Sequence, residues 1–285
     1  MPQQPIDCLL LGAATADLVG GTRILGGTVS YAAPVLHAFG LRVGIVTSAR
    51  TDDPLFESLR SHAVLAVKPA STTTTFENRY APDGTREQFL HASAAPLSID
   101  DVPQAWRGVS LVHLAPLAQE FDPAIAAAFP QATVLLTPQG FMRQWNEDKR
   151  VRFYRWFDAD ALRHIQIVVF SHHDIAAAPE LEALFAQAVE TLIVTDGAQG
   201  GTIYHRGEPQ HYDAFPAQEL DPTGAGDVFA AAYLAAIGRG HAAMNAARIA
   251  AQLAAYSVGR VGPSESVQPA EVAQALRELD GGADD

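Results

Sequence analysis

The sequence predicts an α/β protein: a mostly parallel central sheet, flanked by helices, with a small β lid outside it. Three observations predict this. Short β-branched runs alternate with longer Ala/Leu-rich runs along most of the chain, the pattern of βαβ units whose strands are buried on both faces. Two stretches, 18–27 and 71–91, break the alternation with strand-like, turn-bounded segments. The last third, 224–280, reads as nearly all helix. With no internal repeat and no low-complexity linker, the 285 residues fit one domain over 1–285, with the lid from about 18–27 and 68–92.

Taken in order, IDCLLLGA (6–13) reads as a buried strand. TVSYAAPVLHAFG (28–40) reads as a helix with Thr28 near its N-cap and Gly40 past its end, and RVGIVTS (42–48) as a strand. STTTTFENRY (71–80) and TREQFLH (85–91) alternate around a turn at Asp83-Gly84, and LVGGTRILGG (18–27) is Gly-bounded and strand-like. Further strands are expected at 109–115, 132–137, 165–170 and 191–195, separated by helices at 122–129, 146–157 and 179–189. Residues 200–215 read as a hairpin near the sheet edge.

Composition narrows the function. Hydrophobic residues make up 48% and charged residues 18%, the balance of a folded globular chain. No apolar run approaches the roughly 18 residues that cross a bilayer, and no basic segment precedes the first apolar run. A cytoplasmic location without membrane association is therefore expected. The net charge of −13 repels phosphate backbones, which argues against nucleic acid as a partner. The single cysteine, Cys8, excludes an intrachain disulfide and a thiolate metal cluster. No glycine precedes either lysine, so a P-loop fails at its lysine; GxGxxG, GxSxG and HExxH are also absent.

One stretch carries chemistry: DPTGAGDVFAAAYLAA, 221–236. Gly224, Ala225 and Gly226 project almost nothing toward an approaching ligand. The helix that follows would aim its first free N–H groups back at this loop, an anion pocket made without lysine or arginine. Asp227 could simply favour the helix start by about 0.3–1 kcal/mol. Beside an anion pocket it could instead accept the proton of an attacking hydroxyl.

The sequence resembles the ribokinase-like family of carbohydrate kinases over essentially its whole length. DPTGAGD (221–227) is similar to that family's C-terminal signature, GGTVSYAAPVLHAFG (26–40) to its N-terminal GG motif, LGAATAD (11–17) to the first strand with its substrate-binding acid, and VTDGAQGG (194–201) to the turn that holds the nucleotide. The resemblance implies a three-layer ribokinase-like sandwich, ATP with Mg²⁺, and a sugar or polyol substrate. It assigns Asp227 as catalytic base and Gly224, Ala225 and Gly226 as the anion hole. It places Asp17, Gly26 and Gly27 on the sugar, and Thr195, Gly197, Gly200 and Thr223 at the nucleotide. Asp221, with Thr223, matches a loop that binds a monovalent cation such as K⁺ in some members.

Three departures set the chain apart from a plain ribokinase. Tyr31 replaces the Asn after the GG motif, where its ring could stack on a flat sugar face. SHHD (171–174) replaces an NxxE motif, leaving Asp174 to hold Mg²⁺ through water. SARTDDP (48–54) replaces a G-x-D pattern. TPQGFMR (137–143), REQFLH (86–91) and GRVGPS (259–264) resemble the myo-inositol kinase branch. Gln139 and Arg143 follow a strand end and become candidate substrate contacts. The leading expectation is ATP-dependent phosphorylation of myo-inositol or a related cyclitol. Ribokinase, fructokinase or nucleoside-kinase activity is the alternative within enzymes, and a catalytically silent ligand-binding protein the alternative outside them. A monomer and a homodimer both fit.

Overall fold

A computed structural model of the chain describes residues 4–80, 86–263 and 267–281. In chain order the elements are β1 (Cys8–Gly12), β2 (Thr15–Val19), β3 (Thr22–Gly26), α1 (Thr28–Ala38), β4 (Val43–Ala49), β5 (Ala63–Pro69), β6 (Thr75–Tyr80), β7 (Arg86–Ala92), β8 (Leu111–Ala115), β9 (Thr133–Leu136), β10 (Arg143–Gln144), β11 (Arg152–Phe153), α2 (Ala159–Leu162), β12 (Ile167–Ser171), α3 (Leu181–Ala188), β13 (Thr191–Thr195), β14 (Gly201–His205), β15 (Glu208–Tyr212), α4 (Ala225–Gly238), α5 (Ala243–Ser257) and α6 (Pro269–Gly281). Nine strands form the main sheet in the order β15-β14-β13-β12-β9-β8-β1-β4-β5. Pairing is parallel from β13 across to β5 and antiparallel only in β13-β14-β15.

Alternation along the buried strands feeds two apolar layers. Cys8 and Leu10 face the layer under α1, α4, α5 and α6, while Leu9 and Leu11 face the layer holding Trp106, Leu162 and Phe185. Helix α4 is the hub of the first layer. Residues Val228–Ala236 are buried on every side, so the alanines here let α1 and α5 pack closely against it. Each fully buried leucine contributes about 1.5–3 kcal/mol relative to exposure.

A separate four-stranded sheet, ordered β3-β2-β6-β7, is the lid. Gly20 and Gly21, at φ 56° and 81°, close the β2–β3 hairpin. The lid's two hairpins are joined by the parallel pairing of β2 with β6. The chain runs from β1 into the lid, then to β4 and β5 on one side, and only later to β8 on the other. The order therefore reverses between β1 and β8, and the crevice beyond such carboxyl ends is where open α/β sheets bind ligands.

The fold corrects several expectations. Residues 122–129 hold only a 3₁₀ turn, Pro123–Ala128. Residues 146–157 are not helical. Lys149 sits at φ 60°, Val151, Arg152 and Phe153 alternate as a strand does, and residues 149–151 pair with the β7 edge of the lid (Leu90 N to Lys149 O 2.9 Å, Val151 N to Gln88 O 2.8 Å). The period-two pattern there was outweighed in the sequence by charge. Residues 68 and 69 belong to β5 of the main sheet rather than to the lid, because Lys68 and Pro69 continue its register with Ser48 and Ala49. The Asp83-Gly84 turn lies outside the described residues.

Candidate active site

The site lies where β1, α1, α4 and the lid meet. Gly224 caps α4 in the left-handed region, φ 80°, and a Cβ there would lie 2.2 Å from Tyr31 Cδ1. Only glycine fits this approach. Ala225 N–H turns back to Pro222 O at 3.2 Å, and Val228 N–H closes the first helical bond to Gly224 O at 2.8 Å. Among the described residues the N–H groups of Gly226 and Asp227 have no backbone acceptor. A Cβ on Gly226 would meet no protein atom within 4 Å. The helix start thus presents two donors and a partial positive charge to an open face.

Asp227 stands beside that face. Burial pushes its carboxyl up to about 6; the Thr28 hydroxyl, which hydrogen-bonds it, and the Arg143 cation pull the other way, and the Asp174 carboxylate adds to the rise. The result is a carboxylate that is mostly ionised at neutral pH yet a far better proton acceptor than an exposed aspartate. Tyr31 is not offered to solvent as a stacking platform: the residue is 7% exposed and its ring packs on Gly224. Burial, then Asp227, Asp221 and Asp17 in turn, push its hydroxyl well up, so it stays a neutral donor among three carboxylates.

On the lid side, Gly26 and Asp17 touch: a Cβ at residue 26 would be 2.4 Å from Asp17 Oδ2. Asp17 Oδ1 accepts from the Thr15 hydroxyl at 2.8 Å. Gly27, at φ 94°, lies against Ala13 O. The lid's register puts Ile24, Asp17, Phe76 and Leu90 in one row across its four strands. Two residues farther on the same face, Gln88 Nε2 donates to Asn78 Oδ1 at 3.1 Å. Arg143 reaches beneath this face, its guanidinium 5.4 Å from the Phe76 ring centre and 3.3 Å from Leu117 O.

Gln139 and Asp174 meet one another, Nε2 to Oδ1 at 3.1 Å, and both line a cleft of about 180 Å³ with Met142, Arg143, Val151, Arg152 and Phe153. The other Asp174 oxygen accepts from Ser171 N and Oγ, each at 2.8 Å. Asp174 is therefore oriented but keeps acceptor capacity on Oδ1. Farther along the chain, Thr195 ends β13, and the turn at Gly197–Gly200 returns the chain into β14. A Cβ at Gly197 would meet nothing within 4 Å, whereas one at Gly200 would strike Tyr212 O at 2.0 Å. Asp221 caps its own loop through Thr223 N at 3.0 Å, and Thr223 is exposed.

The structure thus brings Asp227, Tyr31, Asp17, Gly26, Gly224 and Arg143 near one another. Sequence reasoning missed Thr28 as the partner of Asp227, the Asn78–Gln88 pair, and Glu120, which is buried behind the crevice.

Residues 155–270 match the pfkB family carbohydrate kinase. The chain is similar to an inositol 3-kinase of Zea mays, 32% identical over 130 residues, covering 46% of this chain and 34% of the relative. The chain thus spans about a third of that relative's length. It is also similar to a fructokinase of Escherichia coli, 27% identical over 251 residues, covering 78% and 75% of the two chains. Among solved structures, a pyrophosphate-dependent kinase in the ribokinase family superposes with a TM-score of 0.80 at 21% identity, covering 94% of this chain and 99% of that one. The fold is the ribokinase fold.

Proposed function

We infer that this ribokinase-fold chain, with its pfkB carbohydrate-kinase match over 155–270, is a phosphotransferase that moves the terminal phosphoryl group of ATP to a hydroxyl of a sugar or polyol, myo-inositol or a related cyclitol being the preferred acceptor. One observation carries the reading. Asp227, its carboxyl pushed up to about 6, stands at the open N-terminal face of α4 within electrostatic reach of Arg143, and Tyr31 lies within reach of both Asp227 and Asp17.

ATP with Mg²⁺ would supply the electrophilic phosphorus and its charge neutralisation. The donor set suits it. Gly197 and Gly226 are each open to an approaching phosphate or ribose, and Thr195, Gly200 and Thr223 are the further candidates for nucleotide contact. Asp174, oriented through Oδ2 and with acceptor capacity left on Oδ1, could orient a metal-bound water. Asp221 remains the candidate for a monovalent cation.

The chain's own residues do the rest. Asp17 accepts from vicinal hydroxyls, and Arg143 donates to hydroxyl oxygens on the lid side. Asp227 takes the hydroxyl proton as the new P–O bond forms, because a free alcohol is too weak an acid to ionise first. The N–H groups of Gly226 and Asp227 meet the charge on the transferring group. Closure of the lid excludes water, which would otherwise consume the donor.

A panel of myo-inositol, fructose, ribose and nucleosides against ATP tests the reading. Preferred turnover of a cyclitol supports it; preferred turnover of fructose or ribose would move the substrate assignment. Binding without turnover of any acceptor would favour a silent scaffold. Pyrophosphate is the second donor to include, on the strength of the 0.80 TM-score neighbour.

A further inference from the structure

Glu120 is 5% exposed, in the loop between β8 and the Pro123–Ala128 turn, and no step above uses it. Its carboxylate is crowded with backbone donors. Oε1 accepts from Ala13 N at 2.6 Å, and Oε2 accepts from Leu117 N at 2.9 Å and Ala118 N at 2.8 Å. The preceding residue, Gln119, takes a left-handed φ of 54° so that the side chain can fold back on its own loop. A buried ionisable group held this way costs desolvation that an apolar plug would avoid, so its placement calls for a reason beyond filling space.

The donors it gathers belong to the acceptor pocket. Ala13 is the joint between β1 and the lid strand that carries Asp17, and Ala13 O lies against Gly27. Leu117 O receives Arg143 Nη1, and Gln119 Nε2 donates to Arg143 O at 2.5 Å, so the same loop grips Arg143 at both ends. Leu97 N donates to Glu120 O at 2.6 Å, which ties in the chain that leaves the lid after β7. Entry to the lid, exit from it and the Arg143 cradle therefore converge on one residue.

We propose that Glu120 is a positioning residue for acceptor binding, its carboxylate locking the lid's entry joint and the loop that grips Arg143 into one geometry, while its backbone carbonyl holds the exit through Leu97 N. The proposal rests on the acceptor pocket assigned above. E120Q keeps the size but turns an NH₂ toward N–H groups that need an acceptor. The expected result is a rise of tenfold or more in KM for myo-inositol, with the KM for ATP within twofold of wild type. L253A, in α5 away from the lid, serves as a control of similar thermal destabilisation and should leave the myo-inositol KM within twofold. An unchanged KM in E120Q, or an equal rise in L253A, overturns the proposal.

Amide hydrogen exchange on the acceptor-free protein is a readout independent of turnover. In E120Q, residues 13–18 and 116–120 should exchange at least tenfold faster while 228–236 do not change. Unchanged exchange at 13–18 overturns the proposal. If wild type phosphorylates no acceptor, the functional reading falls while the exchange result still decides the role of Glu120. Should E120Q fail to fold, E120D withdraws the carboxylate by one methylene and should give a smaller KM rise; a wild-type KM in E120D also overturns it.

Discussion

Tyr31 and Gly224 are fitted to one another: the tyrosine ring occupies the space that any side chain at 224 would need, with Cδ1 2.2 Å from the position of a Cβ. Together with φ 80° at residue 224, this fixes the loop that starts α4. Gly224→Ala should lower kcat at least tenfold and destabilise the fold by about 1–3 kcal/mol, from a strained φ and a displaced ring. Adding Tyr31→Ala should relieve the steric part in the melting temperature without restoring kcat. Wild-type turnover in the single variant would show that the loop tolerates another backbone path.

Asp227→Asn removes the proton acceptor while keeping shape. Turnover should fall by about 10²–10⁴-fold, with donor binding by calorimetry little changed.

The same substitution should stabilise the protein. The Asp227 carboxyl has a folded pKa of about 6 against 3.8 for the free group, so the folded state holds the proton more tightly. Folding is then penalised progressively as pH rises from about 4 to 6, and the full penalty, on the order of 1–3 kcal/mol, persists above 6. Melting curves should place Asp227→Asn several degrees above wild type at pH 8, with the gap closing toward pH 4. A constant gap would mean that the carboxyl is not the origin.

The acid limb of kcat/KM should fall away below about pH 6, since the base must be unprotonated. Arg143 holds that pKa down. Arg143→Ala should therefore move the limb to higher pH as well as raising the acceptor KM tenfold or more. A raised KM with an unmoved limb would assign Arg143 to binding alone.

Asp53 joins lid to sheet: its carboxylate accepts from Arg23 of β3 at 2.5 Å, from the Thr73 hydroxyl at 2.7 Å and from Leu55 N at 3.3 Å, with 1% of its side chain exposed. Asp53→Ala strands those donors, at about 1–3 kcal/mol. Acceptor-independent ATP hydrolysis, measured beside coupled turnover, should increase as the lid closes less well.

The central sheet was legible because buried parallel strands such as CLLLG and IVVFS are runs that few other structures accommodate. Gly224 was legible because a left-handed cap and a close ring contact demand glycine there. Residues 146–157 misled because their strand pairing depends on the lid edge, a partner some sixty residues away, and local charge resembles a solvated helix. Glu120 and Thr28 were illegible for a similar reason. Their partners, Ala13 and Asp227, are remote in sequence, and nothing in either residue's neighbours signals the contact. Tyr31 was seen as a candidate substrate contact, but the sequence cannot say that its ring turns toward Gly224.

Cys8 lies fully buried in β1, and burial pushes its thiol well above the ordinary range. The chain's one sulfhydryl is thus silent toward maleimides while the protein stays folded. Cysteines placed at exposed sites such as Thr22 on the lid and Arg239 after α4 could carry a fluorophore pair with no background from the native chain, so that opening and closing could be watched one molecule at a time.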